Sequence, residues 1–181
     1  MSRWGCRTVG GVEPTDRHLS PPTAPDHSAA ATGAEDAAAL RDAAEILART
    51  QADEAAADEA RARYRTEAMP TLSPDARITP LLLPGEVVLA VRRSAMLERR
   101  QPAAGSGVPA GLAGDLYLTS RRLVLVGRHT LAFDLEEIEE AMLAGERVLL
   151  VLRDGKGASL DVDRPRLLRV ELAVARAMAR A

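Results

Sequence analysis

The stretch GDLYLTSRRLVLVGRHTLAF, residues 114–133, decides the fold of this chain. Apolar and polar residues alternate along residues 115–119, and this period of two predicts a β-strand. A basic turn at residues 120–122 leads into a second predicted strand over residues 123–126, and a third strand follows over residues 130–133. Because short turns join neighbouring strands in antiparallel order, the stretch predicts an antiparallel sheet, but it specifies no chemistry.

More strands are predicted on both sides of this stretch. Upstream, residues 86–99 form an extended, bent strand, and residues 101–114 form a long loop of Gly, Ala and Pro. Downstream, one strand ends near Leu143 and the apolar run 147–152 is another. An Asp-Gly hairpin turn then leads to a last strand over residues 158–162. The pattern predicts about seven strands in all.

A single amphipathic helix is predicted after the last strand. Asp163 provides a side-chain cap for its first turn, where Pro165 is tolerated because a free amide is not needed there. The larger apolar side chains share one face, namely Leu168, Leu172, Ala175 and Met178. A helix with an apolar face closes one open end of a curled sheet. The predicted fold class is therefore mainly β with α, an antiparallel barrel of about seven strands capped by one C-terminal helix.

The residues before the strands divide into three segments of different composition. Residues 1–31 are rich in Pro, Ser and Thr and predict a disordered tail. Residues 32–69 are rich in Ala, begin with a capping box at Thr32 and predict a helix. Residues 70–80 contain three prolines and predict a linker, which places the folded domain at residues 81–181.

The predicted Ala-rich helix carries few large apolar side chains. Those larger than alanine are Leu40, Ile46, Leu47, Tyr64 and Met69. No sustained heptad connects them, so a strong coiled coil is not predicted. We expect a solvated helix of marginal stability, and docking on a partner or self-association through this helix are the alternatives.

Charge and aromatic content argue against a nucleic-acid-binding protein. The net charge is −2, and residues 1–75 hold 8 arginines against 13 acidic residues, whereas the remainder is only mildly basic. Neither part has the dense basic field of a nucleic-acid domain. An aromatic content of 2% provides no platform for stacking bases. No nucleic-acid partner is predicted.

The sequence shows no sign of export or membrane insertion. Cys6 is the only cysteine, so no intramolecular disulfide forms. No apolar run reaches the roughly 20 residues of a membrane-spanning helix. Residues 1–11 contain no apolar signal-peptide core. We therefore expect a cytoplasmic protein, with peripheral attachment to a membrane as an alternative.

No catalytic, cofactor-binding or metal-binding residue is predicted. His129 is the only histidine of the predicted domain, and no serine or cysteine near it has a nucleophile context. Residues 105–107, Gly-Ser-Gly, lack the following helix and basic residue of a phosphate-binding loop. His18 and His27 lie in the predicted tail without a second ligand pair. An enzyme is therefore not expected.

Three short motifs resemble those of the GRAM and bacterial PH-like domain family. They are Pro-Gly-Glu at residues 84–86, GDLYLTSRRL at residues 114–123 and FDLEEI at residues 133–138. The resemblance covers about residues 80–181. It implies a PH-fold barrel of two orthogonal antiparallel sheets, closed at one end by the C-terminal helix. Some members of the family bind phosphoinositides or other lipids, and others bind proteins or peptides.

The resemblance implies that a lipid headgroup would be bound by basic residues, and the sequence provides several pairs of arginines. The candidates for lipid or partner binding are Arg92, Arg93, Arg99, Arg100, Arg121 and Arg122. Arginine binds phosphate through two parallel hydrogen bonds, which suits this role. The alternative is that these charges only keep the strand edges soluble.

A protein partner would use other surfaces. One is a groove between a sheet edge and the C-terminal helix, and another is the acidic run at residues 136–140. The favoured function is a non-enzymatic adaptor module that recognises a protein partner or a membrane surface. The alternatives are binding of anionic lipid through the arginines, and a small enzyme or ligand carrier that uses the barrel interior. The interior is filled if these side chains point inward: Leu116, Leu118, Leu125, Leu149, Val151 and Leu160.

Overall fold

A computed structural model describes residues 27–99 and 111–180 of the chain, with side chains from residue 36 onward. The chain divides into two units, residues 1–40 and residues 41–181. The described part of the first unit is helical. The second unit contains all the strands and the C-terminal helix.

Helix α1 spans His27–Arg63, so it begins upstream of the capping box that we predicted at Thr32. The three consecutive alanines before Thr32 have the highest helix propensity of any residue type and extend the helix in that direction. Residues 1–26 of the predicted tail lie outside the described residues.

Seven strands and a second helix follow α1, and a 3₁₀ turn at Thr79–Leu81 precedes the first strand. The sheet is antiparallel throughout, with the order β4-β3-β2-β1-β7-β6-β5. The elements are β1 Val88–Arg99, β2 Gly111–Thr119, β3 Arg122–Gly127, β4 Thr130–Asp134, β5 Ile138–Ala144, β6 Arg147–Leu152, β7 Gly157–Asp161 and α2 Pro165–Ala179.

Strand β1 joins the two halves of the sheet. It pairs with β2 over most of its length but with β7 only through its last residues, Met96 to Arg99. The pairing with β2 shifts between Arg92 and Ala95, where Ser94 has a φ of 55°. This irregularity bends the strand, as bulges do. The seven-stranded sheet, the bend and the C-terminal helix are the PH-like architecture that the resemblance implies, so the predicted fold class is confirmed.

The glycine that opens the GDLYLTSRRL motif has a steric role. Gly114 pairs with Gly127 across β2 and β3. A Cβ at Gly114 would lie 2.6 Å from the carbonyl oxygen of Val126. The two backbones therefore approach each other more closely than any side chain would allow.

The interior of the sheet is filled by aliphatic side chains. Leu116, Leu118, Leu125 and Leu160 are buried there, as predicted. In β6 the prediction was wrong, because Val148 and Leu150 point inward whereas Leu149 and Val151 are half-buried. An uninterrupted apolar run has no alternation that would reveal its inward face. The filled interior gives no support to the ligand-carrier alternative.

The segment that we predicted as a linker packs on the outer face of the sheet, which corrects that prediction. The amide of Leu72 donates a hydrogen bond to the carbonyl of Val88 at 2.8 Å. Ile78 is fully buried in a second apolar cluster with Tyr117 and Val124. Because β2 and β3 are apolar on both faces, they require a cover on the outside as well as in the interior.

The second half of α1 docks against α2. Ala57 and Ala60 are buried in a cluster with Val170. The carboxylate of Asp53 accepts hydrogen bonds from the backbone amides of Arg166, at 2.7 Å, and Leu167, at 3.0 Å. These amides have no partner within their own helix, so Asp53 caps α2 from outside. Helix α1, which we predicted to be solvated, is therefore solvated only in part.

The predicted cap of α2 by Asp163 is wrong. The N-cap residue is Arg164, which makes no side-chain capping hydrogen bond and has a left-handed backbone with a φ of 57°. Asp53 performs the capping instead.

Replacing Asp53 by alanine is expected to lower the free energy of unfolding by about 2 kcal/mol, because two backbone amides lose a buried acceptor. Urea unfolding followed by circular dichroism measures the change. The matched control is Glu54→Ala, which removes an exposed carboxylate from the next position and should change stability by less than about 0.5 kcal/mol. Equal losses in the two variants would contradict the capping role.

Candidate functional site

The six candidate arginines do not form one site. Arg100 lies outside the described residues, and Arg99 is half-buried at the end of β1. Arg121 is exposed in the turn between β2 and β3. The other three arginines, Arg92, Arg93 and Arg122, are each bound to carboxylates of the same chain.

Arg122 forms a buried ion pair with Glu86, whose side chain is 0% exposed. Its Nη2 and Nε donate to the two carboxylate oxygens at 2.7 and 3.1 Å. The hydroxyl of Thr119 donates to Glu86 at 2.6 Å, and the amide of Leu83 donates to it at 2.7 Å. The glutamate of the Pro-Gly-Glu motif therefore binds the threonine and arginine of the GDLYLTSRRL motif.

The electrostatics of this pair favour the ionised carboxylate. Burial by itself raises the pKa of Glu86, but the hydrogen bonds from Arg122, Leu83 and Thr119 together outweigh burial and leave the pKa below its ordinary value. An arginine with these partners serves the fold and is not free to bind an external phosphate.

Arg92 forms a second enclosed pair. Its Nη2 lies 2.5 Å from Oε2 of Glu171 on α2, and the two side chains are 11% and 10% exposed. Burial raises the pKa of Glu171 above its ordinary value, and the nearby Arg92 offsets only part of that rise. The pair connects β1 to α2, and Arg92 is enclosed too deeply to contact a membrane.

Arg93 belongs to a network on the outer face of the sheet. Its guanidinium donates to Asp115 at 2.7 Å and to Asp75 at 3.0 Å, and the hydroxyl of Tyr117 donates to Asp75 at 2.8 Å. The hydrogen bond from Tyr117, followed by that from Arg93, lowers the pKa of Asp75 to about 2. Arg77 adds a 2.6 Å bond to Asp115. The network attaches the segment before β1 to the sheet.

A cleft opens where α1 meets the bend of β1 and the start of α2. We call it the α1–β1 cleft; it is lined by Ile46 and Arg49 of α1, Arg93 and Met96 of β1, Glu146, and residues 161–165. Its volume is about 810 Å³. Ile46 and Met96 are 49% and 42% exposed, so the cleft presents apolar surface to solvent.

The backbone of this cleft is strained at two points. Ser94 and Arg164, with φ of 55° and 57°, are the non-glycine residues with positive φ in the described part of the chain, and both line the cleft. Such conformations cost free energy and persist only where surrounding contacts impose them. The amide of Ser94 donates to Asp115 at 3.3 Å, which is one such contact.

The rim of the cleft carries both signs of charge. Its arginines are Arg49, Arg93 and Arg164, and its carboxylates are Asp53, Glu146, Asp161 and Asp163. The pKa of Glu146 is lowered, chiefly by a hydrogen bond from Arg166. A cleft that combines apolar side chains with charges of both signs is typical of protein–protein interfaces, whereas an anionic headgroup requires an excess of positive charge.

The predicted groove between a sheet edge and the C-terminal helix is closed. From α2, Nη2 of Arg176 donates to the carbonyl of Glu139 at 2.8 Å, and Nε of Arg169 donates to the carbonyl of Ala141 at 3.3 Å. These carbonyls belong to β5, so the edge that a bound peptide would use is already occupied.

Two features are absent from residues 27–99 and 111–180. No helix there is long and apolar enough to span a membrane. No group of three or more His, Cys, Asp or Glu side chains there is placed to bind a metal ion.

Sequence reasoning missed the α1–β1 cleft because it depends on the docking of α1. A signal was present in Asp53, Ala57, Ala60 and Tyr64, whose spacing places small residues and one acid on a single helix face. A face of small residues allows another helix to pack closely against it. An acidic side chain on such a face would be buried by this packing, so it requires a hydrogen-bonding partner.

The fold of the described residues is PH-like, with an added N-terminal helix. The chain is similar to the N-terminal PH domain of Vps36, with 16% identity and a TM-score of 0.44 over 61% of this chain and 92% of that one. It is also similar to the C-terminal domain of an unknown protein from Leishmania infantum, with 15% identity and a TM-score of 0.43 over 56% and 92%. No protein-family model and no curated protein matches the sequence.

Proposed function

We propose that the chain is a non-enzymatic protein-interaction module that binds a partner polypeptide in the α1–β1 cleft. The observation that carries the proposal is the pair of exposed apolar side chains, Ile46 and Met96, in a cleft whose lining also carries charges of both signs. The partner segment that fits is one with a large apolar anchor flanked by charges of both signs. Within the PH-like fold we assign the chain to the GRAM type, which the motifs at residues 84–86 and 114–123 support.

The anionic-lipid alternative has weaker support. Lipid binding through arginines needs guanidinium groups that face solvent without a carboxylate partner. Arg92 and Arg122 are enclosed in ion pairs, and Arg93 is shared between two aspartates. Among the described candidates, Arg99 and Arg121 are the ones on which lipid binding would depend.

A photo-crosslinking experiment tests the proposal. A photo-reactive side chain is placed at position 96 in the cleft or at position 142, where Met142 is similarly exposed, at 38%, on β5. We expect position 96 and not position 142 to crosslink a partner polypeptide in the native cell. The purified partner should then bind the full chain with affinity reduced at least tenfold by Met96→Glu and unchanged by Met142→Glu, because a charge in an apolar anchor site costs more than about 1.4 kcal/mol.

Two results would contradict the proposal. One is equal crosslinking from both positions. The other is a vesicle result: the wild-type chain sediments with phosphatidylserine vesicles that contain phosphoinositide. In that result the Arg99→Ala variant no longer sediments with the vesicles, whereas the Met96→Glu variant still does. The second result would favour the anionic-lipid alternative.

A further inference from the structure

A second cavity lies between the C-terminal end of α1 and one face of α2. We call it the α1–α2 pocket; its volume is about 430 Å³. Cavities of about 300–1,000 Å³ are typical of small-molecule sites. None of the residues that line this pocket also lines the α1–β1 cleft, so the two sites are separate.

Part of the lining of the α1–α2 pocket is apolar. Val170, Ala173 and Val174 come from α2, where positions three and four apart share one face. Ala173 is exposed and Val174 is half-buried, and Tyr64 of the α1 end adds an aromatic ring that packs against the core. Apolar atoms are therefore accessible to a molecule bound in the pocket.

The charged part of the lining is positive throughout. Three arginines, Arg61, Arg65 and Arg169, line the pocket, and none of the described residues that line it is acidic. Arg61 is bound to Asp58 on α1, which neutralises part of its charge. In the described part of the chain, Arg65 and Arg169 have no ion-pair partner. The pocket therefore has an excess of positive charge, unlike the α1–β1 cleft.

The cations are held in different ways. Nε of Arg169 donates to the carbonyl of Ala141 at 3.3 Å, which leaves its two terminal amino groups for another acceptor. Arg65 is exposed. A guanidinium with free N–H groups binds a carboxylate or a phosphate through parallel, charge-assisted hydrogen bonds.

Tyr64 provides a further donor. Its hydroxyl makes no hydrogen bond to another residue of the described ranges. Burial, followed by the charge of Glu171, raises the pKa of Tyr64 above its ordinary value, so the hydroxyl keeps its proton at neutral pH. Glu171 is itself paired with Arg92 and is not part of the lining.

We propose that the α1–α2 pocket binds a small amphiphilic anion, in which a carboxylate or phosphate group is joined to an apolar chain. The anionic group binds Arg65 and Arg169, and the chain lies against Val170, Ala173 and Val174. Charge complementarity carries the choice of occupant, because a pocket with unpaired cations and no acid favours an anion. The proposal goes beyond the proposed function and does not depend on it.

Titration of the full chain with octanoate and with octyl phosphate at pH 7, followed by NMR, tests the proposal. We expect saturable binding of at least one of these probes, with shifts at the residues of the pocket. Octan-1-ol lacks the charge and acetate lacks the chain, so each should bind at least tenfold more weakly. Octan-1-ol that binds as tightly as the charged probes would overturn the proposal.

Two variants test the assignment to this pocket. Arg65→Ala should weaken binding at least about fivefold, because a charge-assisted hydrogen bond is lost, whereas Arg128→Ala removes an exposed arginine elsewhere and should have no effect. Ala173→Glu places a carboxylate in the pocket and should weaken binding at least tenfold. Its matched control is Ala177→Glu, one turn further along α2 at an exposed position outside the lining. Equal binding by Ala173→Glu and Ala177→Glu would place the anion elsewhere and refute the assignment.

A membrane surface is the other source of such an anion, and vesicles distinguish it from a soluble ligand. We expect no sedimentation of the chain with phosphatidylserine vesicles. Sedimentation that Arg65→Ala abolishes, together with no saturable binding of octanoate or octyl phosphate, would assign the arginines to a membrane and overturn the proposal.

Discussion

Replacing Arg122 by alanine is expected to lower the free energy of unfolding by about 3–5 kcal/mol at pH 7. The change leaves Glu86, whose side chain is 0% exposed, without its cation. A buried carboxylate that loses its partner retains the desolvation cost without the compensating attraction. The carbonyl of Leu81, which accepts from Arg122 at 2.8 Å, loses its donor as well.

Urea unfolding at pH 7 measures the loss, and Arg121→Ala is the matched control. Arg121 is the neighbouring exposed arginine, and its replacement should change stability by less than about 0.5 kcal/mol. A loss for Arg122→Ala no larger than that of the control would show that the buried pair does not support the fold.

The pH dependence of the same variant has a definite sign. In wild type the pKa of Glu86 is lowered, so its contribution is present above the ordinary value of 4.5 and is lost as pH falls. Without Arg122, burial is the dominant influence and raises the pKa of Glu86. Protonation then relieves the buried charge, and the stability gap between variant and wild type should narrow on moving from neutral to acidic pH.

Replacing Arg92 by methionine is the second large effect, with an expected loss of about 3 kcal/mol at pH 7. Glu171 then loses its hydrogen-bonded cation in a site where its side chain is 10% exposed. The double variant Arg92→Met/Glu171→Leu replaces the pair by apolar side chains and should recover most of the stability. A double variant as unstable as the single one would show that the loss comes from packing and not from the unpaired charge.

The Arg92→Met variant, like the Arg122→Ala variant, should lose stability as pH rises. The reason differs, because the pKa of Glu171 is raised even in wild type. The pKa of Glu171 is already raised in wild type, so its favourable contribution exists below the unfolded pKa and is lost as pH rises through the folded value. Removing Arg92 raises that pKa further. The free energy of unfolding, measured from acidic to neutral pH, should therefore fall more steeply with rising pH in Arg92→Met than in wild type.

The pair between Arg122 and Glu86 explains why the sequence motifs do not identify a ligand. The motif residues Glu86, Thr119 and Arg122 bind one another, and Gly114 allows close backbone approach. They stabilise the fold and do not form a recognition surface. Function has to be argued from surfaces that the motifs do not contain, such as the α1–β1 cleft and the α1–α2 pocket.

Most strands could be predicted because their signals are local. The alternation in β2 and the Asp-Gly turn before β7 depend on a few neighbouring residues. The inward face of β6 could not be predicted, because RVLLVL at residues 147–152 has no alternation. Among the candidate arginines, Arg92, Arg93 and Arg99 lie on β1 as predicted, but the carboxylate partners of Arg92 and Arg93 are distant in sequence and left no local sign.

The sequence by itself determined the strands, the turns and the amphipathic helix α2, because each follows from periodicity or backbone preference within a few residues. Only the tertiary structure decided which charges are free and where a partner could bind. Asp53 caps α2 across a separation of 114 residues, and the α1–β1 cleft exists because of that docking. Contacts of this kind are selected by the packing of the whole chain, since the free energy of burying a charge depends on what surrounds it and not on its neighbours in sequence.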